Sequence, residues 1–314
     1  MDHVMTVTGP IRPDQLGFTL MHEHIFLDIT RDIPGRNSLL NDTELAYQEL
    51  MRYKDAGGMT LVDQTTANLN GHDHDMLPIK HPLAVKSMAE RTGLNVILGT
   101  GWYRELYYDQ RLNKMKTDQI TEELVHDITI GIQGTDVQAG ILGEIGSQFT
   151  WISGVEERVF RAVARAHKKT GVMIGTHALN GPVGIDQLDI LAEEGVDLRR
   201  VVVGHCHSYP HHEYHAEIAK RGAFVEFDRL GTTEIFEQRR WLELIKAMVE
   251  AGLIKHLLFS QDVCNRTDYV IYGGKGYEYI ATTLQKDLEV QGITEEQFNQ
   301  ITIENPKRAL FGED

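Results

Sequence analysis

Six side chains able to bind a divalent cation stand near the ends of apolar, strand-like runs: His22, His24, Glu144, His177, His205 and Asp262. They are far apart in sequence, so they can act together only if the fold brings many strand ends to one place. A (β/α)8 barrel does this, because each strand delivers one or two side chains to a single mouth. Gathered there, the six have the donor types and number for two metal ions, the equipment of a binuclear metal hydrolase.

The local patterns agree with that chemistry. Alternation along a strand has period two, so His22 and His24 share one side and Glu23 takes the other. The helical zinc pattern H-E-x-x-H is absent. His177 ends the run VMIGTH and His205 ends VVVGH, each preceded by a small residue that leaves space near the backbone. Asp262 follows LLFSQ, where a buried aspartate is costly unless it meets a cation or a good donor. Each histidine alone is equally well explained as a hydrogen-bonded residue; their joint placement at strand ends favours ligation.

The elements that must position these residues follow a regular grammar. Strands are predicted at 18–24, 59–64, 94–98, 139–144, 172–176, 201–204, 224–227 and 256–260. Helical patterns lie between them, as in 43–54 and in VEERVFRAVARAHKK at 155–169, where Gly171 is the stop. Segments such as EEGVDLRRVVVGH and VEAGLIKHLLFS repeat the order helix, Gly, strand, which is how β-α units with a parallel sheet read. Eight such units predict a (β/α)8 TIM barrel, and the lack of any Pro-, Gly- or Ser-rich linker predicts one domain over residues 1–314. The longest irregular stretch is expected at 263–276, and the tail is expected as two short helices broken before Pro306.

With 314 residues and a net charge of −15, the chain is expected to avoid nucleic acid, and any basic site must be local. No run approaches a membrane span and no signal peptide is visible. The two cysteines, Cys206 and Cys264, form no C-x-x-C pair and read as reduced core thiols of a cytoplasmic protein.

The set M-H-E-H, G-T-G-W-Y, A-G-I-L-G-E-I-G, G-T-H, V-V-V-G-H-C and S-Q-D resembles, in the same order and over almost the whole chain, the phosphotriesterase family of the amidohydrolase superfamily, and most closely its branch of phosphotriesterase homology proteins. That resemblance implies a distorted TIM barrel with two divalent metals, usually zinc, that activate a bridging hydroxide. It makes His22, His24 and Asp262 ligands of the more buried metal, His177 and His205 ligands of the more exposed one, and Glu144 the bridge. Many family members bridge instead with a carboxylated lysine, which aligns with Gly143. One residue along an ideal strand turns a side chain to the other face, so Glu144 requires a local bend near Gly143.

By the same resemblance Asp262 is the proton acceptor, and Tyr103 and Arg229 contact a lactone near the metals. Arg266 and Tyr269 correspond to an Arg and Tyr that bind an anionic substituent in the phosphorylated-sugar lactonases. His207 stands where relatives often carry an aspartate. His72 and His74 are read as a polar loop, the run His211, His212 and His215 as lining the pocket mouth or as a solvated helix start, and G-G-K-G-Y is not a phosphate loop. The substrate expected is a small lactone or carboxylic ester. A phosphoric triester hydrolase and a non-catalytic binding protein on a decayed scaffold are the alternatives. Relatives are often homodimers, which extends the same expectation to this chain.

Overall fold

All eight apolar runs become strands of one parallel sheet, in chain order. The computed structural model describes residues 1–66, 69, 76–231 and 235–312. The strands are β1 Thr19–Glu23, β2 Thr60–Asp63, β3 Asn95–Thr100, β4 Ile141–Gly146, β5 Ile174–His177, β6 Val201–Gly204, β7 Phe224–Phe227 and β8 Leu257–Phe259. Their ends differ from those read in the sequence by no more than two residues. Helices α1 Thr43–Asp55, α2 His81–Thr92, α3 Thr117–Thr129, α4 Gly154–Thr170, α5 Val183–Glu193, α6 His212–Lys220 and α7 Ile235–Glu250 alternate with them. This is the (β/α)8 barrel arrangement. Among the described residues no helix is long and apolar enough to cross a membrane.

Inside the barrel, Met21, Val62, Ile97, Ile141, Met173, Val202 and Leu258 form an apolar floor. Val4 and Ile11 of the N-terminal hairpin and Phe311 of the last helix join the same cluster, so the amino-terminal end is closed by packing. Outward-facing residues such as Leu20, Leu61, Leu98 and Val203 pack with the helices instead. Only the carboxyl ends of the strands can therefore present polar groups to a shared cavity.

Capping residues fix the loops at that end. Ser153 accepts from the Glu156 N–H at 3.3 Å, and Glu156 returns Oε2 to the Ser153 N–H at 3.0 Å, a reciprocal cap that starts α4. The other oxygen of Glu156 accepts from the backbone of Gln148 and Glu105, so one carboxylate pins the loops after β3 and β4 together.

The seam between β8 and β1 closes through side chains. His22 donates its N–H to Ser260 Oγ at 2.9 Å, and the Asp262 N–H donates to His22 O at 3.1 Å. Glu23, facing away from His22, accepts from Ser260 Oγ and the Gln261 N–H, both at 2.7 Å, and from the Val263 N–H at 2.9 Å. A buried carboxylate with three donors thus sets the turn that carries Asp262.

Three details differ from the sequence reading. The tail runs through Pro306 without a break: Glu295–Asn299 continues through a π turn, Gln300–Glu304, into Asn305–Phe311, where Pro306 falls in the first turn and its missing N–H is tolerated. Cys206 is buried as expected, but Cys264 is half-buried at the mouth and is not a core thiol. His215 is a core imidazole whose Nε2 donates to Cys206 O at 2.8 Å, neither solvated nor part of the mouth. His72 and His74 lie outside the described residues.

Burial raises the Glu23 pKa to about 8 against its three donors, so the network predicts that at pH 9, where the carboxylate is ionised, Glu23→Gln, which sets an amide N–H against a backbone N–H, destabilises the metal-free protein by about 2 kcal/mol. Urea unfolding in chelator reads this directly, and an unchanged midpoint would show that the seam does not depend on the carboxylate.

Candidate metal centre

The position of Glu144 depends on an irregularity in β4. Leu142 pairs with Ile174 and Ile145 with Thr176, so three steps along β4 face two along β5. This extra residue is a bulge, which re-aims a side chain beside an active site. The Gly143–Glu144 peptide within it is cis. At Gly143 an added Cβ would come within 2.7 Å of Gln64 Oε1 and 3.1 Å of Gly175 O, so a side chain there would have to displace Gln64. Gln64 fills that space, held by Nε2 to Met21 O at 3.0 Å. A lysine at 143 would require Gln64 to move, and here the carboxylate comes from the next residue. β1 carries a matching shift against β2 between Leu20 and Glu23, which brings His22 above Met21 on the barrel interior.

With these bends, the six candidate ligands meet, each no more than 7% exposed. Glu144 Oε1 lies 2.6 Å from His177 Nδ1, 2.9 Å from His205 Nε2 and 3.4 Å from His22 Nε2. His24 Nε2 is 3.3 Å from Asp262 Oδ1. Ligand atoms of His22, His24 and Glu144, and those of Glu144, His177 and His205, lie within 4.8 Å of one another, so the two groups share Glu144. Imidazole and carboxylate donors of this kind suit zinc and similar divalent ions. Among the described residues the buried Nε2 of His177 has no hydrogen-bond partner and that of His22 has only the 3.4 Å approach of Glu144, as expected of nitrogens meant for a cation.

A surrounding layer orients the rings. His22 Nδ1 is 3.1 Å from Glu226 Oε2, His24 Nδ1 is 2.8 Å from Thr65 Oγ1, and His205 Nδ1 is 2.9 Å from Asp228 Oδ1. Asp228 Oδ2 also accepts the His205 N–H at 2.7 Å, which holds His205 at φ 58°. Such partners fix tautomer and orientation in metal-binding histidines. Tyr277, within the G-G-K-G-Y run, donates to His24 O at 2.6 Å. The sequence reading missed Glu226 and Asp228, although an acidic i, i+2 pair at the end of the apolar strand FVEFD was a usable signal.

Burial opposes charge on Glu144, yet His177 and His22 outweigh it and hold the carboxyl well below its usual range. Burial likewise opposes charging His205, but Asp228 and Glu144 lift it to about 10. His177 is depressed to about 4, chiefly by burial. Asp262 is lowered against its burial by His24 and Arg229, so it is ionised at neutral pH.

Above the cluster opens a cavity of about 430 Å3 lined by His24, Tyr103, Glu144, His177, His205, His207, Arg229 and Asp262 among others. Tyr103 sets its ring edge-on to His177, with centroids 4.8 Å apart. Arg229 reaches Asp262 O at 2.6 Å and Cys264 Sγ at 2.9 Å. His207 Nδ1 lies 3.0 Å from Asp228 Oδ1. Arg266 and Tyr269 are placed elsewhere: Arg266 donates to Leu39 O and Asn41 Oδ1, and Tyr269 is buried beside Tyr277. Neither lines the cavity.

Fold and cluster together define a barrel protein with a candidate binuclear centre at the carboxyl ends of its strands. More narrowly, the chain belongs to the phosphotriesterase family, whose profile matches residues 2–310. It is 30% identical over 295 residues to a phosphotriesterase homology protein of Escherichia coli, covering 94% of this chain and 98% of that protein. It is also 30% identical over 350 residues to an N-acetyltaurine hydrolase of Danio rerio, covering 98% and 97%. Among solved structures, a lactonase from Listeria monocytogenes superposes with a TM-score of 0.89 at 27% identity, covering 99% of this chain and 100% of that one.

The raised His205 and His22 have a consequence for loading. Without metal both hold protons at neutral pH, and a cation must displace them. Any metal affinity is therefore expected to rise with pH from the neutral range. Calorimetric zinc titration at pH 7 in two buffers of different ionisation enthalpy is expected to show release of about one or more protons per chain; proton-neutral binding would contradict this charge balance.

Proposed function

We propose that this chain is a metal-dependent hydrolase that cleaves a lactone or carboxylic ester at a binuclear divalent-metal centre, with zinc the natural occupant. The observation that carries the reading is the single oxygen Glu144 Oε1, approached by imidazole nitrogens from three strands. In this proposal His22, His24 and Asp262 hold one ion, His177 and His205 the other, and Glu144 both.

Bound divalent ions supply Lewis acidity, polarising the scissile group and making water a nucleophile at neutral pH. The chain's own residues do the rest. Asp262, ionised and held between His24 and Arg229, accepts the proton released in attack and returns it to the leaving group. Arg229 fixes Asp262 by gripping its carbonyl. Tyr103 has its pKa pushed well above 10 by burial and by Glu144, so it stays protonated and donates to the oxyanion. The apolar side chains Leu27, Ile29, Leu69 and Leu179 line the same cavity and limit water around the acyl group.

The relatives named lactonase and N-acetyltaurine hydrolase support acyl transfer to water as the shared chemistry. A phosphoric triester hydrolase is favoured less, because arginine and aspartate side chains occupy the wall that a bulky neutral triester would need.

Purified protein is expected to hold two equivalents of zinc, to turn over members of a panel of lactones, aryl esters and N-acetyl amides, and to lose that turnover in chelator. Phosphotriester turnover with no acyl hydrolysis would overturn the ester reading, and absence of bound metal after growth with zinc would favour a binding protein. Tyr103→Phe is expected to lower kcat about 100-fold with metal content intact; a change confined to KM would remove Tyr103 from oxyanion stabilisation.

A further inference from the structure

Most polar groups in the cavity wall are accounted for by the cluster, but Arg104 is not. It follows Tyr103 directly, and its side chain is only 10% exposed. Its stem lies along Gly146, where an added Cβ would come within 2.7 Å of Arg104 Cγ, so the glycine makes room for it. The guanidinium carbon stands 4.7 Å from the Tyr103 ring centre and 5.7 Å from that of Tyr107. Nη2 donates to Asp32 Oδ2, and Tyr107 OH donates to the same oxygen at 2.8 Å.

The seating leaves donors over. Nε is buried with no partner among the described residues, whereas Nη1 has none either but is not sealed from solvent. Arg104 is one of the residues that line the cavity. A buried guanidinium with unmatched donors is costly, and a wall needed only for apolar contact would be cheaper as leucine. The other arginines near the mouth are committed elsewhere: Arg229 holds the Asp262 turn and Arg266 is tied to Leu39 and Asn41. A chain of net charge −15 also needs a local cation to accept an anionic ligand.

We propose that Arg104 is a specificity residue for a substrate carrying a carboxylate, bound through Nη1 while the scissile ester lies against His177, Glu144 and His205. The proposal rests on the hydrolase reading above and narrows its substrate class. Asp32 seats the guanidinium and also offsets part of its charge, so the two residues have opposite effects on anion preference. A cavity of about 430 Å3 accommodates both ends of a small linear substrate.

The test compares aryl monoesters of linear dicarboxylic acids with aryl esters of fatty acids of the same chain length, each having one aryl ester. Wild type is expected to favour the charged member by about 10-fold or more in kcat/KM at its best chain length, the range of a charge-assisted hydrogen bond. Arg104→Met is expected to abolish the ratio, Arg104→Lys to restore part of it, and Asp32→Asn to keep or enlarge it. A wild-type preference for the neutral esters at every length overturns the proposal. So does a ratio that falls alike in Arg104→Met and Asp32→Asn, the sign of a structural role only. Calorimetry separates this from the hydrolase reading: zinc-loaded protein is titrated with glutarate and adipate against pentanoate and hexanoate. Arg104-dependent tighter binding of the dicarboxylates, with no lactone, ester or amide of the panel turned over, upholds the subsite and overturns the hydrolase. Ester turnover without Arg104-dependent discrimination does the reverse.

Discussion

One carboxylate oxygen organises the centre. Glu144 Oε1 must serve nitrogens from β1, β5 and β6 at once, at distances from 2.6 to 3.4 Å. A regular β4 would turn Glu144 outward, since Ile141 already faces the floor and alternation continues from it. The bulge reverses that, and it can form only because Gly143 and Gly175 leave space that Gln64 occupies. Glycine at 143, glutamine at 64 and glutamate at 144 are thus one solution to one steric problem. Any larger side chain at 143 would meet Gln64 before it met a metal.

The layer around the cluster balances charge as much as it positions rings. Four histidines and two carboxylates packed out of water would be unstable as isolated ions. Asp228 supplies two acceptors to His205 and approaches His22 Nδ1 to 3.4 Å, while Glu226 takes His22 from the same strand. Burial pushes Glu226 up to about 7, with His22 working against it, whereas Asp228 stays well below its ordinary value because His205 overcomes its burial. The pair therefore places a firm negative charge, that of Asp228, beneath the histidines. Glu23 does comparable work on the opposite side of β1, so that alternating residues of M-H-E-H build the centre and close the barrel.

The barrel was legible because buried parallel strands must be apolar and their connections must be helical, and both leave plain periodic signals. The grouping of the histidines at 22, 24, 177 and 205 was legible because, although each alone could be a hydrogen-bonded residue, four of them at the ends of such runs point to one shared site. The face of Glu144 was not, since a bulge depends on the neighbours of β4 in space, above all Gln64 from β2. Arg266 illustrates the same limit: its residue type suggested an anion contact, but the loop carrying Asn41 lies within reach and claims it. Pro306 was read as a break because local rules stop a helix there, whereas packing of Leu310 and Phe311 into the barrel floor keeps the tail helical.

The cluster and the cavity wall are built on different supports, and this separates reaction from selectivity. Candidate ligands sit on or directly after strands whose other residues make the floor, so their positions follow from the barrel itself. Arg104 and Asp32 instead come from loops, and their placement follows from loop-to-loop contacts: Glu156 pins the backbone of Glu105 beside Arg104, and Asp32 returns its N–H to Ile29 O. Loops on a rigid scaffold can change without disturbing what they surround. The same argument explains how a lactonase and an N-acetyltaurine hydrolase can resemble one chain over nearly its full length. On the proposed reading, the strand-end cluster supplies the chemistry and the wall selects the molecule that meets it. In this chain the wall pairs a buried cation with an apolar surface, and that pairing, more than the metal ligands, carries the information about substrate.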